Sequence, residues 1–204
     1  MVRTVKKSAE RRAEIVKTAR LLFQTKEYEK ATMQDVMEAL DIAKGTIYHY
    51  FKSKEDLLEA VIEDIVEQNI QQMEALAKDA EGDALQKMRF LIKAGQIASD
   101  NQPILEYLHK PGNYAMHTRL LAAVLVKQAP LYAEVIQQGC KEGVFKTGSP
   151  LECAEFILSA VQFLTDMGIY PWTQEDLKRR MQAFPKLIEQ MLSAPAGSFQ
   201  FLID

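Results

Sequence analysis

The chain has 204 residues, of which 48% are hydrophobic and 26% charged, a composition typical of a globular protein with a full core and not of a disordered chain. Its longest apolar run, residues 120–126, is far shorter than the about 20 residues that cross a bilayer, so we expect no membrane span. No apolar stretch follows the basic residues 1–8, which argues against a secretory signal, and we expect a cytoplasmic protein.

Charge is unevenly distributed along the chain. Residues 1–54 contain 12 Lys/Arg and 7 Asp/Glu, a net charge of +5, so the remainder carries −8 of the total of −3. This distribution favours contact with a polyanion through the first quarter alone, although a solvated basic face would give the same count.

Cys140 and Cys153 are too few for a disulfide framework, and neither lies in a CxxC motif. We expect two free thiols that behave as small buried hydrophobic side chains in a reducing compartment. A redox sensor built from the pair is the alternative.

Apolar residues recur at helical spacing along the whole chain and nowhere alternate as in a strand, which predicts an all-α fold of about nine helices. The first helix is expected over about 9–26. Thr32 and Asp35 form a capping box that opens a second helix ending near Asp41, and a third is predicted over 44–50. Two short helices with a first one behind them are typical of a three-helix helix-turn-helix domain, in which the second short helix enters the major groove of DNA.

A long helix is predicted to begin at a second capping box, formed by Ser53 and Asp56, and to reach about residue 78. Its length of about 37 Å, at 1.5 Å per residue, exceeds what a small domain needs. We therefore expect it to join a DNA-binding domain over 1–54 to a second domain over 55–204. Further helices are predicted over about 83–99, 101–111, 113–143 with a bend or break at Pro130, 149–168, and 173–193 with a kink at Pro185.

The third predicted helix carries an unusual set of side chains for so short a segment. Only Ile47 and Phe51 are purely apolar, whereas donors surround them at Lys44, Thr46, Tyr48, His49 and Tyr50. Such donors bind phosphates and base edges, although any one tyrosine alone could be a half-buried core ring. Gly45 would allow the backbone to approach DNA closely. Lys54 lies in the first turn of the long helix, where a cation is poorly placed for helix stability and an external phosphate would explain it.

Residues from Ala9 to about Asp64 closely resemble the tetracycline-repressor (TetR) family of bacterial regulators. The matching residues are ARLLF at 19–23, ATMQDV at 31–36, KGTIYHYFKSK at 44–54 and DLL at 56–58, and the run GTIYHYFKSKEDLL is highly specific. The resemblance implies DNA binding, with bases contacted by Gln34, Lys44, Gly45 and Tyr48, and phosphates held by Thr32, Thr46, His49, Tyr50 and Lys54. Where the family usually has Gly-hydrophobe-Ser, this chain has residues 41–43 as Asp-Ile-Ala, which removes a serine cap worth about 1 kcal/mol.

Residues from about 65 to 204 match the family in architecture only, which implies a ligand-sensing bundle whose last two helices form a four-helix dimer interface. The apolar residues that would form this interface are Ala154, Ile157, Val161, Leu164, Leu177, Met181, Phe184, Ile188 and Met191. An internal core would show the same spacing. The residues that could line an effector pocket are Phe90, Tyr107, Tyr114, Met116, His117, Phe163, Tyr170 and Trp172. Each of them is also compatible with an ordinary core position.

Together these features predict a homodimeric repressor that binds a pseudo-palindromic double-stranded DNA operator and is released by a small, mostly apolar effector. A basic N-terminal arm with Arg3, Lys6 and Lys7 would add contacts to the DNA backbone or minor groove. The alternatives are a non-specific architectural DNA-binding protein, which would be basic throughout, and a helical enzyme. The sequence has no phosphate-cradling glycine loop, no HExxH motif and only three histidines, so we expect no catalytic residue, no cofactor and no metal site.

Overall fold

A computed structural model describes residues 8–79, 81–95, 101–110 and 112–203. The basic arm of residues 1–7 lies outside the described residues. The α-helices are α1 Ser8–Lys26, α2 Met33–Leu40, α3 Lys44–Tyr50, α4 Lys54–Asp79, α5 Ala84–Ala94, α6 Gln102–Leu108, α7 Tyr114–Glu142, α8 Pro150–Thr165 and α9 Gln174–Leu192, followed by a 3₁₀ turn, Gln200–Leu202. The predicted all-α fold is confirmed.

The helices differ from the prediction at two ends and at the two internal prolines. α8 stops at Thr165 instead of residue 168, because Asp166 has extended backbone (φ −80°, ψ 105°) and its carboxylate accepts the N–H of Gly168 at 2.8 Å. α7 continues through Pro130, so the predicted break does not occur, and α9 continues through Pro185. α5 ends at Ala94, and residues 96–99, which the prediction included in this helix, lie outside the described residues.

The chain divides into two compact units, which differ from the predicted domains. Unit 1 comprises Met1–Glu67 and Ala98–Met116, and unit 2 comprises Gln68–Ile97 and His117–Asp204. Unit 1 thus extends beyond the predicted boundary at residue 54, since the first half of α4 supplies side chains to its core. It also contains α6, a helix that the sequence prediction assigned to the second domain.

Unit 1 has an apolar core to which α1, α2, α3 and the beginning of α4 all contribute. Its most deeply buried side chains include Ile15, Ala19, Phe23, Val36, Ile47, Phe51, Leu57 and Leu58. The α6 segment is held to α1 by Asn101, which is 2% exposed and accepts hydrogen bonds from Arg20 Nε at 3.2 Å and Gln24 Nε2 at 2.9 Å. Residues far apart in sequence therefore brace the helices that carry the predicted DNA-binding surface.

Unit 2 has its own core, built from the second half of α4, α5, most of α7, α8 and α9. Its most deeply buried side chains include Met73, Leu91, Ile136, Leu192 and Phe199. Gly139 is required by this packing, because a Cβ atom there would lie 2.2 Å from the ring of Phe145. The chain after α9 closes over the helix, where the Phe199 N–H donates to Glu189 Oε1 at 3.1 Å.

The two cysteines lie close together in unit 2 as free thiols. We expected both thiols to be buried, but both are half-buried. Cys140 Sγ is 3.8 Å from the carbonyl oxygen of Thr147, and Cys153 Sγ is 3.2 Å from the hydroxyl of the same residue.

Among the described helices, α7 alone has the length and apolar composition that a membrane crossing requires. Core helices of water-soluble domains meet the same criteria, so one such helix is weak evidence for a membrane span. α7 also buries two polar side chains in unit 2, His117 and Gln128, and Gln128 Nε2 lies 3.4 Å from Asn69 Oδ1. We assign this part of α7 to the core of unit 2.

Candidate nucleic-acid interface

α2 begins at the predicted capping box. The Asp35 N–H donates to Thr32 Oγ1 at 3.1 Å, and Asp35 Oδ2 accepts from the Thr32 N–H at 2.8 Å. Lys26 Nζ lies 2.7 Å from the other carboxylate oxygen of Asp35. The hydrogen bond from Lys26, followed by those from Thr32, lowers the pKa of Asp35 from 3.8 to about 2. The helix ends at Asp41 in the left-handed conformation (φ 49°), as the sequence predicts.

α3 is attached to unit 1 by the two apolar side chains that the sequence singles out, Ile47 (0% exposed) and Phe51 (1% exposed). The other predicted DNA-contacting residues of this helix lie on its outer surface: Lys44, Gly45, Tyr48 and His49 are exposed, and Thr46 and Tyr50 are half-buried. Ala43 precedes the helix and provides no side-chain cap, in line with the missing serine. α3 is therefore a short helix with an anchored inner side and an outer side made of hydrogen-bond donors.

The glycine in α3 has no structural role in the protein itself. A Cβ atom on Gly45 would meet no atom within 4 Å, and its backbone does not adopt a positive φ. Because glycine lowers helix stability relative to alanine by roughly 0.5–1 kcal/mol, its presence at an open position calls for a reason outside the chain. Close approach of another molecule to the α3 backbone is such a reason.

Several predicted contact residues already have partners within the protein. Lys44 Nζ lies 5.7 Å from the ring centroid of Tyr48, and the rings of His49 and Tyr50 meet edge to face at 5.0 Å. Gln34, on α2, donates to Glu38 Oε1 at 2.8 Å. These contacts are on the protein surface, where water competes for them, so a bound polyanion can replace them at little cost.

Lys54 has an intramolecular partner that sequence reasoning missed. Its Nζ lies 4.2 Å from the ring centroid of Tyr28 and 3.4 Å from the carbonyl oxygen of Glu29, and burial lowers its pKa. Tyr28 is 3% exposed, and burial raises its pKa well above the ordinary value. The position of Lys54 therefore does not require an external phosphate as its explanation. The only feature of the sequence that could have indicated this contact is the adjacent pair Tyr28 and Glu29 in the loop before α2.

The predicted second capping box is half formed. The Asp56 N–H donates to Ser53 Oγ at 3.1 Å, as expected. The Asp56 carboxylate, however, accepts the N–H of Lys52 at 2.8 Å in place of the predicted N–H of Ser53. The start of α4 is thereby tied to the residue that follows the C-cap of α3, which fixes the end of one helix to the beginning of the next.

Two family models match the chain. One is described as "Bacterial regulatory proteins, tetR family" and matches residues 15–61, and the other as "Tetracyclin repressor-like, C-terminal domain" and matches residues 96–187. The chain belongs to the TetR family. Its members are DNA-binding transcriptional regulators that usually dimerise, and the family is not one of enzymes.

Curated relatives and solved structures agree with this assignment. The chain is 32% identical over 68 residues to the uncharacterized HTH-type transcriptional regulator YfiR of Bacillus subtilis, and 33% identical over 64 residues to the HTH-type transcriptional repressor KstR2 of Mycolicibacterium smegmatis. These alignments cover 33% and 31% of this chain and the same shares of the relatives. The crystal structure of a transcriptional regulator from Cytophaga hutchinsonii has the same fold, with a TM-score of 0.66 and 21% identity over 88% of this chain and 95% of that one.

The residues predicted to line the effector pocket of this TetR-family protein are divided between the units. Tyr107, Tyr114 and Met116 belong to unit 1, and Phe90, His117, Phe163, Tyr170 and Trp172 belong to unit 2. Phe90 (53% exposed) and Tyr114 (52% exposed) are open to solvent in the single chain, which the expectation of an enclosed pocket did not anticipate. His117 is buried, and its Nε2 lies 3.0 Å from Asp166 Oδ2.

The residues predicted for the dimer interface fall into two groups. Ala154, Phe184 and Ile188 are buried inside the single chain, so they belong to the core of unit 2. Leu164 and Met181 are exposed, and Ile157, Val161, Leu177 and Met191 are half-buried. The sequence prediction omitted three large exposed apolar residues of α8 and α9, namely Leu151 (41%), Phe156 (64%) and Leu187 (54%).

Proposed function

We propose that this TetR-family protein is a cytoplasmic, homodimeric transcriptional repressor that binds a pseudo-palindromic operator and is released from it by a small, mostly apolar effector. The observation that carries the proposal is the surface of α3, where two buried anchors hold a short helix whose other side chains are exposed donors. The relative from Mycolicibacterium smegmatis, named a transcriptional repressor, supports the direction of the effect.

In this proposal, side chains of α2, α3 and the start of α4 contact either the bases or the phosphates of the DNA. Bases in the major groove are contacted by Gln34, Lys44, Gly45 and Tyr48, and phosphates by Thr32, Thr46, His49, Tyr50 and Lys54. An open glycine beside Lys44 and Tyr48 supports close approach to base edges, and the phosphate contacts fix the position of the helix in the groove without reading sequence.

A second copy of the chain would cover the exposed apolar residues of α8 and α9. Phe156 and Leu164 are eight residues apart, or about two turns, which places both exposed side chains along one side of α8. Large exposed apolar residues on adjacent helices are what a four-helix interface requires. Two-fold symmetry would then place the two α3 helices one DNA turn apart, at about 34–36 Å.

Release by the effector would act through α4. This helix is continuous from Lys54 to Asp79, with its beginning in unit 1 and its end in unit 2. A displacement of its end in unit 2 would therefore move Lys54 beside the DNA-binding surface. Coupling between two sites of 1–3 kcal/mol, or about 5–150-fold in affinity, is the usual scale for such a mechanism.

Operator binding is tested by selecting duplexes from a random pool and comparing the selected sequence with a scrambled one at about 150 mM salt. A TetR-family regulator should prefer the selected duplex by at least about 10³-fold. Tyr48→Phe should reduce that preference because it removes one hydroxyl from the outer side of α3. Equal affinity for both duplexes would instead show a non-specific architectural protein.

Effector release is tested by linkage. A ligand found by its increase of the melting temperature would be titrated by calorimetry with and without saturating operator. The ligand should bind more weakly to the DNA complex by the same factor by which it weakens DNA binding. Equal ligand affinities would contradict the proposed release.

A further inference from the structure

Lys54 makes two contacts that fix the place of its ammonium. Nζ is 4.2 Å from the ring centroid of Tyr28 and donates to the carbonyl oxygen of Glu29 at 3.4 Å. Neither a tyrosine ring nor a peptide carbonyl carries a net charge, so these contacts place the ammonium without neutralising it. The groups that hold Tyr28 and Glu29 therefore determine how well Lys54 can bind a DNA phosphate.

The ring of Tyr28 is held by α6. The ring of Tyr107 lies against it, with centroids 4.1 Å apart and planes inclined by 45°. Tyr107 is itself fixed at the end of α6, since its carbonyl oxygen accepts from Asn113 Nδ2 at 2.7 Å and the next residue, Leu108, is 0% exposed. Buried rings keep their positions because their neighbours fill the space around them, so loss of the Tyr107 ring would let Tyr28 move, and Lys54 with it.

A second contact from α6 concerns the negative charge beside Lys54. The carboxylate of Glu29 would attract the ammonium of Lys54 and repel a phosphate that approaches it. Lys110 Nζ, however, donates to Glu29 Oε2 at 2.6 Å, and this hydrogen bond lowers the pKa of Glu29 and raises the pKa of Lys110. The carboxylate of Glu29 is therefore paired with a lysine other than Lys54.

The ion pair between Lys110 and Glu29 contributes little to the fold. Its two side chains are 48% and 55% exposed, and water and salt weaken ion pairs at such positions. Its effect on a bound phosphate does not depend on burial, because an unpaired carboxylate a few Å from the phosphate would repel it. The pair therefore matters more for a polyanion at Lys54 than for the stability of unit 1.

We propose that Tyr107 and Lys110, at the end of α6, are positioning residues for DNA binding. Tyr107 holds the ammonium of Lys54 in place through the ring of Tyr28. Lys110 pairs with the carboxylate of Glu29, which would otherwise compete with a DNA phosphate for Lys54. The proposal rests on the proposed function, in which Lys54 holds a phosphate, and it adds to the interface a helix that the sequence prediction assigned to the second domain.

The role of Tyr107 is tested by measuring the affinity of the full chain for the selected duplex and for its scrambled counterpart over a range of salt concentrations. Tyr107→Leu should weaken both complexes alike, by up to about fivefold at about 150 mM salt, and reduce the slope of log affinity against log salt by up to about one, the contribution of one phosphate contact. Added to Lys54→Ala, it should cause no further loss. Tyr107→Phe keeps the ring and should restore the wild-type slope.

The role of Lys110 is tested by removing its charge with and without that of its partner. Lys110→Gln should weaken binding to both duplexes, because the carboxylate of Glu29 is left beside Lys54, and adding Glu29→Gln to the same chain should restore the affinity. Lys93→Gln, at an exposed position of α5, changes the net charge equally and should bind as wild type. If the double variant still binds weakly, Lys110 contacts the DNA itself and its positioning role is wrong.

Melting temperatures separate positioning from folding. A merely structural Tyr107 would lower the melting temperature when replaced by Leu and weaken DNA binding by the same factor with Lys54 and with Lys54→Ala, which would overturn its proposed role. Unchanged affinity and salt slope in both Tyr107→Leu and Lys110→Gln would overturn the inference and leave the proposed function intact. Equal wild-type affinity for the two duplexes would contradict operator recognition, whereas the expected variant effects on both duplexes would still support the positioning roles. A wild type that binds neither duplex would overturn both proposals.

Discussion

α3 and α8 both expose aromatic side chains, but the chemical surroundings of those side chains differ. On α3, Tyr48 is 41% exposed and has the ammonium of Lys44 at 5.7 Å, and His49 lies against Tyr50. On α8, Phe156 is 64% exposed, and Leu164, two turns further along, is 37% exposed, so large apolar side chains are open to water. The polar groups of α3 can be hydrated by water until DNA binds. Each Å² of apolar surface that α8 leaves in water costs about 25 cal/mol of free energy relative to a buried surface.

The chemical groups around an exposed ring, and not the ring alone, indicate which partner it binds. Hydroxyl, imidazole and ammonium groups beside an open glycine fit a polyanion that itself carries acceptors. Bare phenyl and aliphatic groups fit another apolar surface, and a second copy of α8 and α9 provides one.

Replacing the hydrocarbon of α8 by charge should have the largest effect. Phe156→Glu places two like charges near each other in a dimer, which costs several kcal/mol, so sedimentation should show monomers at micromolar concentration. Operator affinity should fall at least about 100-fold, since each monomer reads only a half-site. Glu155→Gln, at the neighbouring exposed position, is the control and should remain dimeric. A wild type that is already monomeric would contradict the whole assignment.

Gly45→Ala separates folding from DNA contact on α3. The new methyl group meets no atom within 4 Å, so the protein should be as stable as wild type or more stable by up to about 1 kcal/mol. Operator affinity should nevertheless fall roughly tenfold, because the methyl group keeps the helix away from the base edges. Gly148→Ala is a matched control, since its Cβ is equally unobstructed and lies outside unit 1. Unchanged affinity in Gly45→Ala would show that α3 does not approach DNA closely.

Lys54 tests a residue that belongs to both the fold and the proposed interface. Lys54→Ala should lower affinity for all duplexes alike and reduce the slope of log affinity against log salt by about one. It should also destabilise unit 1 modestly, because it removes a cation from the ring of Tyr28, worth about 0.5–1 kcal/mol at a partly exposed site. Lys178→Ala, on α9, changes the net charge equally and serves as the control. A lower stability with an unchanged salt slope would leave Lys54 with a structural role only.

The sequence predicted α3 and its anchors because the signals that define them are local. A capping box needs residues three apart, and the inner side of a short helix needs Ile47 and Phe51, four apart. Contacts between distant residues gave no comparable signal. Lys54, at the start of α4, contacts the ring of Tyr28 in the loop between α1 and α2. Asn101 accepts a hydrogen bond from Arg20, which is 81 residues away in the sequence.

The same reason applies to the apolar residues of α8 and α9. Spacings of three and four identify an apolar stripe, but they do not say whether the chain itself covers that stripe. Phe184 and Ile188 prove to be core residues, whereas Phe156 and Leu187, outside the predicted stripe, are exposed. The choice between core and surface depends on helices elsewhere in the chain, and only the three-dimensional structure supplies them.

The smallest effect that we expect is on the pH dependence of stability. It compares two equivalent capping boxes, one at the start of α2 and one at the start of α9. Thr173 and Asp176 cap α9 as Thr32 and Asp35 cap α2, and the pKa of Asp176 is also lowered, chiefly by the hydrogen bonds from Thr173. Asp35 gains in addition the ammonium of Lys26 at 2.7 Å, whereas the guanidinium groups nearest to Asp176 lie 3.7 Å away. The two boxes thus differ in the strength of the charge that supports them.

A carboxyl group whose pKa is lowered on folding stabilises the protein above its ordinary pKa and loses that effect as the pH falls through the lowered value. For Asp35 the loss should extend from about pH 4 down to about pH 2. The difference in melting temperature between wild type and Asp35→Asn should therefore narrow over that range, and the difference between wild type and Asp176→Asn should also narrow as the pH falls, because the pKa of Asp176 is lowered too. Raising the salt concentration should weaken the Asp35 effect more, because its principal partner is a surface ammonium. If the two differences in melting temperature respond equally to salt, Lys26 does not stabilise the cap of α2.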